Sequence, residues 1–213
     1  MGSNEANLEA VRAYHQGTKH GPHGFAPGPG FMDWANQPDP FRRYAGADLL
    51  PLPLQAGPAD LDFAALDAAG SIAPSGLDAE NLSLFLELSM GLTAWKAYQD
   101  TSWALRANPS SGNLHPTEAY VLLDTTGNDE ESPTLYHYVS ETHCLERRAS
   151  FSKEIWNSLT RDLPAGSFLV GLSSVIWREA WKYGERAFRY CQHDMGHAVA
   201  ALRLSAVLCG WRL

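Results

Sequence analysis

The stretch from Leu105 to Val121 reads LRANPSSGNLHPTEAYV, and how it folds settles how the chain is built. The apolar run before it, Trp95 to Leu105, predicts a short helix. The chain then opens into a tight polar turn, Pro109-Ser110-Ser111-Gly112-Asn113. It closes on Pro116 and enters Glu118-AYVLLD, a β-branched and aromatic run that reads as a buried strand. Pro109 fixes its own φ and pushes Asn108 out of the helical region. Gly112 permits a backbone angle that a side chain forbids and lets another group come close. Ser110, Ser111 and Asn113 gather hydroxyls, an amide and backbone N–H groups in a small volume. Arg106 adds a fixed fork of donors suited to phosphate. The set suits a flat, polar-edged, phosphate-bearing ligand. The same residue types also make ordinary loops that bind nothing, so composition alone leaves both readings open.

Upstream, Gly70 to Gly76 is a break that divides the chain into an arm, residues 1–75, and a core domain, residues 76–213. Asp78 caps a predicted helix from Ala79 to Leu92, with Leu82, Phe85, Leu86 and Leu92 on one face. In the arm, Leu8 to Tyr14 predicts a short amphipathic helix, and GPHGFAPGPG is too rich in Gly and Pro for a regular element. Trp34, Phe41 and Tyr44 make the arm too aromatic for a disordered linker, so packing across the domain is expected. Downstream come a polar turn (Gly127 to Pro133), a strand (Leu135 to Val139) and a helix (Phe151 to Arg161) with Trp156 and Leu159 inward. SFLVGLSSVI, Ser167 to Ile176, is a continuous apolar run expected at the centre of a sheet. The last element is a helix from Gly184 to Cys209. Its small residues, such as Gly196, Ala198 and Ala206, alternate with Phe188, Val199 and Leu202, a mixture that suits a fully buried helix.

The chain has 213 residues, 45% hydrophobic and 19% charged, enough for a sizeable core in one domain plus an extension. Its net charge is -8, which opposes bulk binding to nucleic acid or an anionic membrane. No apolar run reaches the ~18 residues of a membrane span, and the N-terminus lacks the charge and apolar pattern of a signal peptide. Cys144, Cys191 and Cys209 are odd in number and widely spaced, so a reducing cytoplasm is expected rather than a disulfide framework or zinc knuckle.

Three groups of residues carry possible chemistry. His193-Asp194-Met195-Gly196-His197 has two histidines four apart with an acid between, the pattern of a metal hydrolase. The acid is Asp rather than Glu and no third ligand follows at a recognisable spacing, so no metal is expected. Ser110 and Ser111 lack the turn of a nucleophile elbow, and His115 beside them does not make a triad. Lys182, Tyr183, Arg186 and Arg189 place three cations where a strand passes into a helix. They read either as surface charges among acids such as Glu179 and Glu185 or as a grip for negative charge.

The polar turn, Pro109-Ser110-Ser111-Gly112-Asn113-Leu114-His115-Pro116, resembles the flavin-contact loop of the nitroreductase superfamily. LYHYV resembles the strand that follows. WREAWKYGERAFRYCQHDMGHAVAALRLSAVLCGW resembles a Lys-Tyr-Gly-x-Arg-x-x-Arg segment and the long helix of the SagB-type branch. The aromatic arm resembles the leader of larger members, some with two such domains in tandem. The resemblance implies an α+β fold, a central mostly antiparallel sheet flanked by helices, and a dimer or pseudo-dimer with a second nitroreductase-like half. It implies an FMN-dependent oxidoreductase, with NAD(P)H or a small organic or peptide substrate as donor. Arg106, Pro109, Ser110, Ser111, Gly112, Asn113, His115, Lys182 and Arg186 would lie at the cofactor. Two departures stand out. SGLDAE, Ser75 to Glu80, lacks the Arg-Ser-x-Arg run that holds the FMN phosphate, and the chain stops where the family continues past its long helix. A non-catalytic scaffold half, supporting a partner's flavin site, is therefore the alternative.

Overall fold

A computed structural model describes residues 3–54, 63–66, 72–124 and 132–213. The start of the Gly70 to Gly76 break and most of the turn at Gly127 fall outside the described residues. Seven strands and five helices are described: α1 (Ser3–Thr18), β1 (Leu49–Pro51), α2 (Ala79–Met90), β2 (Leu92–Tyr98), β3 (Thr101–Arg106), β4 (Thr117–Leu123), β5 (Thr134–Val139), β6 (Cys144–Ser150), α3 (Lys153–Thr160), β7 (Leu169–Ser174), α4 (Ile176–Tyr183) and α5 (Ala187–Leu208). The main sheet runs β1-β6-β5-β4-β7 with every pair antiparallel.

The core lies where α2 and α5 pack on this sheet. Asp78 Oδ1 accepts from Asn81 N at 2.8 Å and starts α2. From there Leu82, Phe85, Leu86 and Met90 point inward against Val121 and Leu145 of the sheet and Ala198, Leu202 and Ala206 of α5. The small α5 side chains let the two helices approach, and Ser205 Oγ donates to Phe85 O at 2.8 Å across the gap. Phe85 meets Phe168 and Trp211 at ring separations of 5.6 and 5.5 Å, closing the end of the core.

Four expectations are corrected. Trp95 to Leu105 is not a helix. It is most of an antiparallel hairpin, β2–β3, in which Trp95 faces Ala104 and Lys96 faces Trp103. The two-residue turn at Gln99 and Asp100, with Gln99 at φ 51°, carries no glycine to announce it. The apolar run at Ser167 is an edge strand: among the described residues β7 pairs only with β4, and the chain turns into α4 at Ile176. Leu159 is 53% exposed, because α3 buries only Trp156. Finally, α5 is not fully buried. It covers Cys191, Asp194, Ala198, Leu202 and Ala206, while Phe188 (52%), Val199 (42%) and Leu204 (53%) face outward. No described helix is long and apolar enough to cross a membrane.

The arm lies against the core through the Tyr14 side chain and through core side chains that reach to the arm's backbone. Tyr14 Oη donates to Glu185 O at 2.7 Å, and Arg189 Nη2 donates to His15 O at 2.8 Å. Trp181 Nε1 donates to Asp33 O at 2.7 Å, Arg178 Nε to Asp39 O at 2.9 Å, and Arg106 Nη2 to Pro40 O at 2.5 Å.

Candidate functional site

The corner from Pro109 to Pro116 joins β3 to β4. Its first half is fixed from behind by one residue of α5. Ser110 Oγ donates to Asp194 Oδ2 at 2.7 Å. Ser111 donates twice to Oδ1, from its backbone N at 3.0 Å and from its Oγ at 3.1 Å. Asp194 is completely buried, so these bonds are made away from water, where they are strongest. The second half is fixed by its own side chains. Asn113 Nδ2 donates to Ala104 O at 2.9 Å and its Oδ1 meets His115 Nε2 at 2.9 Å. The backbone N of His115 donates to Ser110 Oγ at 2.8 Å. Burial, with the Arg106 charge second, pushes the His115 imidazole down to about 3 and keeps it neutral.

Gly112 sits at the tip with φ 64°. A Cβ built there would stand 2.6 Å from Tyr183 Oη and 3.0 Å from Lys182 Nζ. Hence the end of α4 lies directly on this residue, and only glycine leaves the room. On its other side the corner opens on a cavity of about 460 Å³, a volume ordinary for a small-molecule site. Gly112, Asn113 and Leu114 line it from the corner, Trp95 and Trp103 from the hairpin, and Trp34 and Phe41 from the arm. Trp95 is 56% exposed, so a large aromatic surface faces this space.

The cations named from the sequence do not converge. Arg106 is buried, with Nη1 donating to Thr117 O at 3.3 Å and Nη2 tying down the arm. Burial pushes its guanidinium down to about 10. Arg186 Nη1 lies 3.1 Å from His20 Nε2 and 3.3 Å from Tyr190 Oη. Arg189 binds α1. Lys182 alone among these reaches the corner, where its charge also acts on the buried Glu179 carboxyl. His193 and His197 face outward on α5, turned away from the buried Asp194, and no described cluster of His, Cys, Asp or Glu is placed to hold a metal ion.

Sequence reasoning missed two buried charge clusters. Beneath the arm, His137 bridges Glu118 and Glu146 at 2.8 Å on either side, and Arg178 Nη1 donates both to Glu118 Oε1 and, at 2.7 Å, to His115 O. Burial pulls the Glu118 carboxyl up, but its bond to His137 and the charges of Arg178 and Arg106 outweigh it and hold it below the usual range. Behind the corner, Glu179 was read among surface acids and is instead wholly buried, with no hydrogen-bond partner for either oxygen. Burial first, and then the neighbouring Asp194 carboxylate, pushes it up to about 8. No sequence signal marks either cluster, since charged residues on a helix normally face water.

The sheet order, the α2–α5 layer and the corner between them define a nitroreductase-like α+β fold. The structure superposes on the crystal structure of a "putative nitroreductase" from Anabaena variabilis with a TM-score of 0.66 and 30% sequence identity, covering 92% of this chain. The chain spans 38% of that protein's length. No protein-family model matches the chain, and no curated protein does.

Proposed function

We propose that the chain is one half of a flavin-dependent oxidoreductase, with FMN held at the Pro109–Pro116 corner. The observation that carries this reading is the rigid, glycine-tipped corner opening on a cavity walled by Trp95, Trp103, Trp34 and Phe41. The residues fit the ring of the cofactor. Aromatic walls offer a flat polycycle large contact area, and Gly112, Asn113 and Leu114 line the same cavity. They fit the phosphate only in part, because Lys182 is the one of these cations that reaches the corner, and it is not among the residues lining the cavity. The rest of the grip comes from a second nitroreductase-like half, a copy of this chain or a tandem domain, seated on the exposed apolar face of α5.

FMN, when bound, supplies the acceptance and return of hydride between a donor such as NAD(P)H, or a small organic or peptide substrate, and an acceptor. The chain's own residues would hold the ring between the hairpin and the arm and exclude water from it. Three free thiols, Cys144, Cys191 and Cys209, fit a reducing cytoplasm.

The test is the small molecule released from the denatured protein. FMN by mass spectrometry, with absorbance at about 450 nm in the native sample, is expected. A colourless protein that also takes up no added FMN would overturn the reading. The second reading, a scaffold half with no flavin of its own, is favoured by one observation: Arg106 and Arg189 are spent on the arm. It predicts colour only when a partner half is present.

A further inference from the structure

The carboxyl pair behind the corner does something the flavin reading does not use. Asp194 holds Ser110 and Ser111 through three donors. Glu179, completely buried on α4, lies close enough for Asp194 and Ser110 to bear on its carboxyl, yet neither of its oxygens makes a hydrogen bond of good geometry. Two like charges buried side by side strongly disfavour each other, so one carboxyl keeps a proton. Asp194 has the donors that favour a carboxylate, which leaves the proton on Glu179.

The groups around the pair do not change this assignment. Lys182 on α4 is the one cation acting on Glu179, and it reaches on toward Gly112. Tyr183 on α4 and Cys191 on α5 are both held in their neutral forms, first by burial and then by this pair, Cys191 being pushed up to about 11. Ser110 from the corner is the remaining polar neighbour of Glu179.

We infer that Glu179 and Asp194 are a paired positioning device for the corner: the protonated Glu179 leaves Asp194 free to grip Ser110 and Ser111, and loss of that proton loosens the grip. The corner is thus ordered at neutral pH and slackens in alkali. The device itself rests on the burial of both carboxyls and on the bonds from the corner to Asp194. Its consequence for FMN affinity rests on the flavin reading.

The experiment is hydrogen exchange of the Ser111 amide between pH 6 and pH 9, corrected for the intrinsic rate, in the native chain and in Glu179→Gln and Asp194→Asn, with FMN affinity measured over the same range. In the native chain, protection of Ser111 is expected to fall about tenfold between pH 7 and pH 9, as the acid passes through its titration. In Glu179→Gln, which keeps the shape and cannot ionise, protection stays flat. In Asp194→Asn it is low at every pH. Protection that is independent of pH in the native chain, or that falls equally in Glu179→Gln, overturns the inference. If exchange behaves as expected while FMN does not bind at any pH, the pair stands and the flavin reading fails. Should Asp194→Asn not fold, the comparison of the native chain with Glu179→Gln decides.

Discussion

Two buried clusters of charge stand on either side of the His115 carbonyl region, and they are built on opposite plans. Under the arm, Glu146, His137, Glu118 and Arg178 alternate as acid, base, acid and cation, each bonded to the next. Behind the corner, Glu179 and Asp194 are both acids, and one of them has no partner. Burial costs both clusters solvation. The first recovers it through opposite charges, whereas the second avoids it by keeping a proton. The difference teaches that burial of charge is not one kind of feature. The alternating chain is bonded acid to base throughout, whereas the like-charged pair depends on a single proton.

The largest effect should come from breaking the alternating cluster. Arg178→Ala strands the Glu118 carboxylate and frees Asp39 O of the arm, and we expect a loss of about 3–5 kcal/mol in denaturant unfolding. Proteolysis within the arm should accelerate in the same variant.

The next effect separates the clusters by the sign of their pH dependence. Glu118 is held below its ordinary value, so its stabilisation is present above that value and is lost as pH falls through its folded pKa. Glu179 is raised from 4.5 to about 8, so its contribution is full below 4.5 and is lost as pH rises through about 8. Unfolding free energy should therefore fall on both sides of a maximum. Glu179→Gln should remove only the descending limb between pH 4.5 and about 8, whose slope approaches ~1.4 kcal/mol per pH unit for one proton. A descending limb unchanged in Glu179→Gln would dissolve the contrast between the clusters.

A smaller effect probes the corner they share. Gly112→Ala places a methyl against Tyr183 Oη and Lys182 Nζ at φ 64°, and should cost about 1–2 kcal/mol, with weaker FMN uptake. The smallest is His197→Ala, on the outward face of α5, which should stay within about 0.5 kcal/mol of the native chain in thermal unfolding.

The corner was legible in the sequence because proline and glycine state backbone angles directly. Pro109, Gly112 and Pro116 mark a bend whatever surrounds them. α2 and the sheet strands β4 and β5 were legible from capping and from apolar patterning. The β2–β3 hairpin was not, since Ala, Leu and Lys in LTAWKAYQDTSWALR favour a helix locally and only pairing across the Gln99 turn decides otherwise. Of the candidate site, the residues at the tip were found, but their use was not. Ser110 and Ser111 face inward to Asp194, and Arg106 faces the arm. These assignments depend on which elements meet in space, and no spacing along the chain encodes that meeting.

The core grasps the arm mainly by its carbonyl oxygens: those of His15, Asp33, Asp39 and Pro40 each receive a donor from an arginine or tryptophan. Every residue has such an oxygen, so a side-chain substitution at Trp34 or Phe41 leaves these four bonds in place. Trp34 and Phe41 are thus free to be exchanged for other side chains without casting the arm adrift. Selectivity at the cavity can drift through these positions, while the scaffold beneath stays the same.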